Sequence, residues 1–144
     1  MGTFMASIYR DIRAALETKL KAVSGLPSIS YENSSYDRKN GTSYLETSFL
    51  PTLRRPAVRG LSPQQRYQGV FRVVCYAPEG TGPGAADELA DKVLNAFEAT
   101  TDASYLNNSG ENIIVSIDYA EREGGGLDTP FYYVPVNIGF YIYN

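Results

Sequence analysis

The sequence predicts an α+β fold: one mixed, largely antiparallel β-sheet with two helices packed on one of its faces. Three observations carry that prediction. First, two stretches repeat apolar residues at spacings of three and four, the period of a helix with one buried face. They are Ile8, Ile12, Ala15, Leu16, Leu20 and Val23, then Ala86, Leu89, Ala90, Val93 and Phe97. Second, residues 29–33, 43–50, 113–119 and 131–143 alternate in the period of a strand, and 67–76 is dense in Val, Phe and Tyr. Third, strands next in sequence are joined by turn residues, except across the second helix. The predicted order is therefore α-β-β-β-α-β-β. A chain of 144 residues fits a single domain, 1–144.

The first helix covers 7–24, with Lys19 and Lys21 in its last turns, where cations favour the helix dipole. Gly25 and Pro27 stop it. A short strand follows at Ile29, Tyr31 and Asn33, then a polar stretch with the Asn40-Gly41 turn signal. In 43–50, Leu45, Thr47 and Phe49 oppose Tyr44, Glu46 and Ser48, a half-buried strand. The run Thr52 to Gln65, TLRRPAVRGLSPQQ, has two prolines, a glycine, three arginines and no helical period. Structureless loops of that length are uncommon and usually functional or mobile. Between two pairing strands it would form a projecting hairpin arm at about 52–65. After the 67–76 strand, Pro78, Gly80, Gly82, Pro83 and Gly84 turn the chain into the second helix, 84–99. Tyr105-Leu106 reads as a short strand before the Asn108-Ser109-Gly110 turn. The next strand places Ile113, Val115, Ile117 and Tyr119 on one face, and Glu121 to Asp128, with Gly124, Gly125 and Gly126, reads as a flexible connection. In the last strand Val134, Val136, Ile138, Phe140 and Ile142 share a face opposite Tyr133, Asn137, Tyr141 and Tyr143. Pro135 marks it as an edge or bulged near its start.

The residue inventory argues against most catalytic chemistry. There is no His, the commonest general base and metal ligand, and Cys75 is the single cysteine. Cys75 shares the side of Phe71 and Val73 and reads as a buried structural thiol. The Glu79–Gly84 loop could cradle a phosphate, but no Lys follows it, Asp87 and Glu88 open the helix, and Pro83 removes an amide donor. It reads as a strand-to-helix corner. Asp87 and Asp91 are four residues apart and share a helix face, so a metal-dependent hydrolase is the enzymatic alternative; a solvated face is the simpler account. No cofactor is expected. No apolar run approaches the ~18 residues of a membrane span. No secretory signal is visible, and Ala6 breaks the myristoylation pattern after Gly2. A soluble, cytoplasmic protein is the expectation.

Net charge is −3, with 11 basic and 5 acidic residues in 1–72 against 2 and 11 in 73–144. From Thr47 to Pro78 there are five arginines and no acid: Arg54, Arg55, Arg59, Arg66 and Arg72. Such an imbalance suits a surface that meets a copy of itself head to tail, or it is scattered over a solvated surface. Twelve tyrosines and no tryptophan add interface-type side chains with a large ring and a polar tip. The candidate interface residues are Arg54, Arg55, Arg59, Arg66, Tyr133, Tyr141 and Tyr143. For the three tyrosines the alternative is a second packing layer over the sheet.

Three stretches, IYRDIRAALETKL, RYQGVFRVVCYAPEGTGPGAADELADKVLNAF and YYVPVNIGFY, lie in an order and spacing that resembles the tail terminator-like family of long-tailed bacteriophages, related in fold to the minor tail protein U of lambda-like phages. The matching positions are Tyr67, Gly69, Phe71 and Val73, the Tyr76-Ala77-Pro78 exit, the Gly-rich turn and Val134-Pro135-Val136. The resemblance covers nearly the whole chain, and its motifs are structural rather than catalytic. It implies a non-enzymatic virion protein, assembled in the host cytoplasm, that forms a sixfold ring on the head-proximal end of the tail tube. Its implied partners are further copies of itself, the tail tube protein and the head–tail connector protein, with DNA passing through the lumen without specific binding. A connector component that binds the portal side is the alternative within the same particle.

Overall fold

The computed structural model describes residues 8–33, 36–37, 41–56, 65–80 and 82–143, and of residues 53, 55 and 56 the backbone alone. The element order is α1 (Ile8–Lys21), β1 (Ser28–Ser30), β2 (Tyr44–Pro56), β3 (Gln65–Pro78), α2 (Gly84–Ala96), β4 (Asp102–Leu106), β5 (Asn112–Arg122), β6 (Gly126–Asp128) and β7 (Phe131–Tyr143). The strands form one sheet in the order β1-β2-β3-β7-β5-β4, with β6 paired to β7. Among the described strands only the β1–β2 pair is parallel. The predicted α+β class and the antiparallel bias stand.

Both helices lie on the same face. α1 packs over β4 and β5, and α2 over β3 and β7. The apolar stripe of α1 (Ile8, Ile12, Ala15, Leu16, Leu20) and that of α2 (Ala86, Leu89, Ala90, Val93) meet one side of the sheet. Phe71, Val73 and Cys75 of β3, with Val136, Ile138 and Phe140 of β7, line that side and are at most 2% exposed. Each large side chain buried there contributes roughly 1.5–3 kcal/mol. Thr47 faces the same side, and its Oγ1 is buried without a hydrogen-bond partner. Such an orphaned hydroxyl costs about 1–3 kcal/mol. Polar contacts fasten α1 to its neighbours. Asn107 donates from Nδ2 to the buried Asp11 carboxylate at 3.1 Å, and Lys19 donates to the Asp102 carbonyl at 2.9 Å.

Four local expectations are corrected. The segment 52–65 is not structureless at its ends, because β2 and β3 pair out to Pro56 opposite Gln65. A bulge between Pro51 and Leu53 lets the ladder resume after the proline. Gly69 makes this possible, since a Cβ there would meet the Leu50 carbonyl and Pro51 Cα. Residues 57–64, including Arg59, lie outside the described residues. Next, the Glu121–Asp128 connection is largely paired. β5 continues to Arg122, Glu123 donates its N–H to the Pro135 carbonyl, and β6 then takes up the same edge of β7. Pro135 therefore does not mark an edge. β7 is central, and its proline sits where β5 gives way to β6, where no ladder donor is required. Last, a register shift between Ile117 and Tyr119 turns Tyr119 to the face opposite the helices. There its ring lies over Gly139, at a place a Cβ would occupy.

Candidate functional site

The face of the sheet away from the helices is the candidate surface. Cross-strand pairs share a face, so the register sorts its side chains into rows. The row Tyr44, Tyr76, Tyr133 lies near one end, and Arg66 and Tyr143 close the other.

At the first end the aromatic rings pack on one another. Tyr44 stacks on Tyr76 with centroids 4.5 Å apart, and Phe131 meets Tyr44 edge-on at 5.3 Å. Tyr133 leans on Tyr76 at 5.9 Å. Tyr44 and Phe131 are each 1% exposed, on the face away from α1 and α2. Burial, and then the Glu46 carboxylate, raise the Tyr76 phenol above its ordinary value. This end is a second, smaller core, so Tyr133 belongs to a packing layer rather than to an open patch.

The middle rows are polar and internally paired. Arg72 donates from Nη1 to Glu123 at 2.6 Å, and Asn137 donates from Nδ2 to the same carboxylate oxygen at 2.7 Å. Those bonds from Asn137 and Arg72 hold the Glu123 carboxyl below its usual range. Across the sheet Arg122 donates to Asp87 at 2.7 Å. Asp87, one of the two carboxylates of the metal alternative, is therefore occupied by a guanidinium. Cys75 is fully buried, which pushes its thiol up to about 12, far from a thiolate at neutral pH.

At the second end Arg66 is clasped by rings. Its Nε donates to Gln68 at 2.9 Å and its Nη1 to the Tyr143 hydroxyl at 2.7 Å. Its guanidinium carbon lies 4.5 Å from the Tyr141 centroid and 5.5 Å from that of Tyr143. Beside it is a cavity of about 230 Å³ lined by Thr52, Gln68, Asp118 and Tyr119 among others. Arg54 stands opposite Tyr67 in the ladder, so it turns to the helix-bearing face, where it lies 5.7 Å above that ring. Arg55 is the register partner of Arg66.

Of the residues singled out from sequence, the structure thus gathers Arg66, Tyr141 and Tyr143. It separates Tyr133 from them and turns Arg54 to the opposite face. Sequence reasoning missed Gln68, Asp118 and Tyr119. A glycine inside a strand signals close approach of another group, and Gly139 was that signal for Tyr119.

A family model described as phage tail terminator protein matches residues 11–140. Among solved structures, one superposes with a TM-score of 0.69 at 21% identity, covering 92% of this chain and 93% of its own, a likeness of fold. A search of curated proteins finds no match.

Proposed function

The chain belongs to the phage tail terminator protein family, and from that membership we propose that it closes the head-proximal end of a tail tube as a ring of identical subunits. The family is one of structural virion proteins, not enzymes, and places this chain in the phage tail. Among the described residues no helix is long and apolar enough to cross a membrane.

The observation that carries the finer reading is the arginine end of the sheet: Arg66 clasped by Tyr141 and Tyr143, beside the far end of the β2–β3 ladder. Rings around a guanidinium restrict it to one presentation, which lowers the entropy lost on docking. The β2–β3 ladder is paired out to Pro56 opposite Gln65. That supports reading 52–65 as an arm that reaches a neighbouring subunit or the tube. In this reading the ring stops tube growth and presents its other side to the head connector, and its partners are tube protein, connector protein and its own copies.

Electron microscopy of the purified protein mixed with its tail tubes tests the proposal. Density confined to one tube end, in a ring, is the expected result. Decoration along the tube wall, or none, overturns it, and binding to the connector alone favours the connector reading.

A further inference from the structure

Some of the charges of this molecule are paired and others are not. Arg13 with Glu32, Arg72 with Glu123 and Arg122 with Asp87 form ion pairs of 2.6–2.8 Å. Arg54 and Arg66, at one end, make no ion pair among the described residues, nor do Glu79 and Glu88 at the other. β3 runs from Gln65 to Pro78, so at about 3.3 Å per residue the two ends stand roughly 40 Å apart.

Each end also carries exposed apolar surface. Tyr143 is 46% exposed at the arginine end. At the acidic end Leu127 is 64% exposed, on the rim of a cavity of about 350 Å³ that Gly80, Gly82, Pro83 and Tyr132 complete. Glu79 and Glu88 are exposed beside that turn. The two ends thus differ in sign: Arg54 and Arg66 with the exposed Tyr143 ring at one, where Asp118 lines the cavity beside Arg66, and Glu79 and Glu88 with the hollow at Leu127 at the other.

We propose that copies of this chain associate end to end along the strand axis, the Arg54–Arg66–Tyr143 end of one subunit seating on the Glu79–Glu88–Leu127 end of the next. This rests on the ring reading above and names its subunit contact. The occupant is a second copy because each end finds its complement of charge at the other end of the same chain. A contact between two different patches is heterologous, and it closes a ring when the rotation per subunit divides the circle. The contact is end-on rather than face-on because Arg54 and Arg66 project from opposite faces of the β2–β3 ladder. A partner laid flat on the open face would reach Arg66 alone. Docked end-on, the charges form the rim, where they govern encounter and orientation, and the Tyr143 ring enters the hollow beside Leu127.

Complementary charge reversal tests this. One variant carries Arg54→Glu with Arg66→Glu, the other Glu79→Lys with Glu88→Lys. Circular dichroism establishes that each is folded. Sedimentation and electron microscopy then follow self-association, with and without tail tubes. Each variant alone is expected to associate at least about tenfold more weakly than the wild type, and an equimolar mixture is expected to recover assembly, because every contact regains opposite charges. Unchanged association of both variants, or loss without recovery in the mixture, overturns the end-to-end contact. Tube capping by a wild-type protein that never self-associates overturns it as well. If the wild type neither self-associates nor binds tube ends, the tail-cap reading itself fails.

Discussion

Tyr133 and Tyr143 sit on the same strand and the same face of the sheet, ten residues apart. At about 3.3 Å per residue that is roughly 33 Å. Their surroundings differ completely. Tyr133 leans on Tyr76, beside the stack of Tyr76 and Tyr44 and the edge of Phe131, and burial there removes ring surface from water. Tyr143 keeps nearly half its surface open, and its hydroxyl oxygen accepts from Arg66. The same residue type serves stability at one end and presentation at the other. Neighbours across the ladder make the difference: Tyr133 is opposite Tyr76, and Tyr143 is opposite Arg66.

The largest effect that would break this contrast is expected at the packed end. Tyr44→Ala removes a ring that is 1% exposed and stacked at 4.5 Å, and should cost about 3 kcal/mol or more in urea unfolding. A cost below about 1 kcal/mol would mean the aromatic layer is not a core. Tyr143→Ala should behave in the opposite way. It forfeits one hydrogen bond and one cation–π contact at an exposed site, so its stability loss should stay near 1 kcal/mol. Self-association should fall clearly below that of the wild type in sedimentation. Equal losses of stability at the two positions would erase the distinction between the ends.

The smallest effect concerns the paired middle and depends on pH. Hydrogen bonds from Asn137 and Arg72 lower the Glu123 carboxyl from its ordinary value of 4.5. A carboxyl lowered on folding adds stability above the unfolded value and loses it as pH falls through the carboxylate range toward the folded one. The difference in melting temperature between wild type and Glu123→Gln should therefore be present near neutrality and close on acidification. A difference that persists unchanged at low pH would show that the Arg72–Asn137–Glu123 cluster acts by shape rather than by charge.

How much of this was legible beforehand varies with the range of the interaction that decides it. The helices and the alternating strands were readable because burial of one face imposes a period on the chain itself. The arginine-rich segment and the tyrosines of β7 were readable as interface candidates from residue type. Their grouping was not. Arg54 and Arg66 look equivalent in sequence, yet the hairpin register sends one to each face. Tyr119 fell into the core phase of its strand, and a single-residue bulge reversed it. The glycines of 124–126 read as slack, whereas Gly126 pairs with Tyr133 and Glu123 is tied to Pro135, Arg72 and Asn137.

The chain alone determined its fold class, its helix-facing core, its lack of histidine and its uneven charge. Those are properties of local composition and period, and each residue carries its share wherever the chain goes. Which charges cancel and which remain depends on strand register and on two bulges, quantities set by contacts between residues distant in the chain, such as Arg72 with Glu123 and Arg66 with Tyr143. Only when the sheet is assembled do Arg72 and Arg122 find Glu123 and Asp87, while Arg54, Arg66, Glu79 and Glu88 make no ion pair among the described residues.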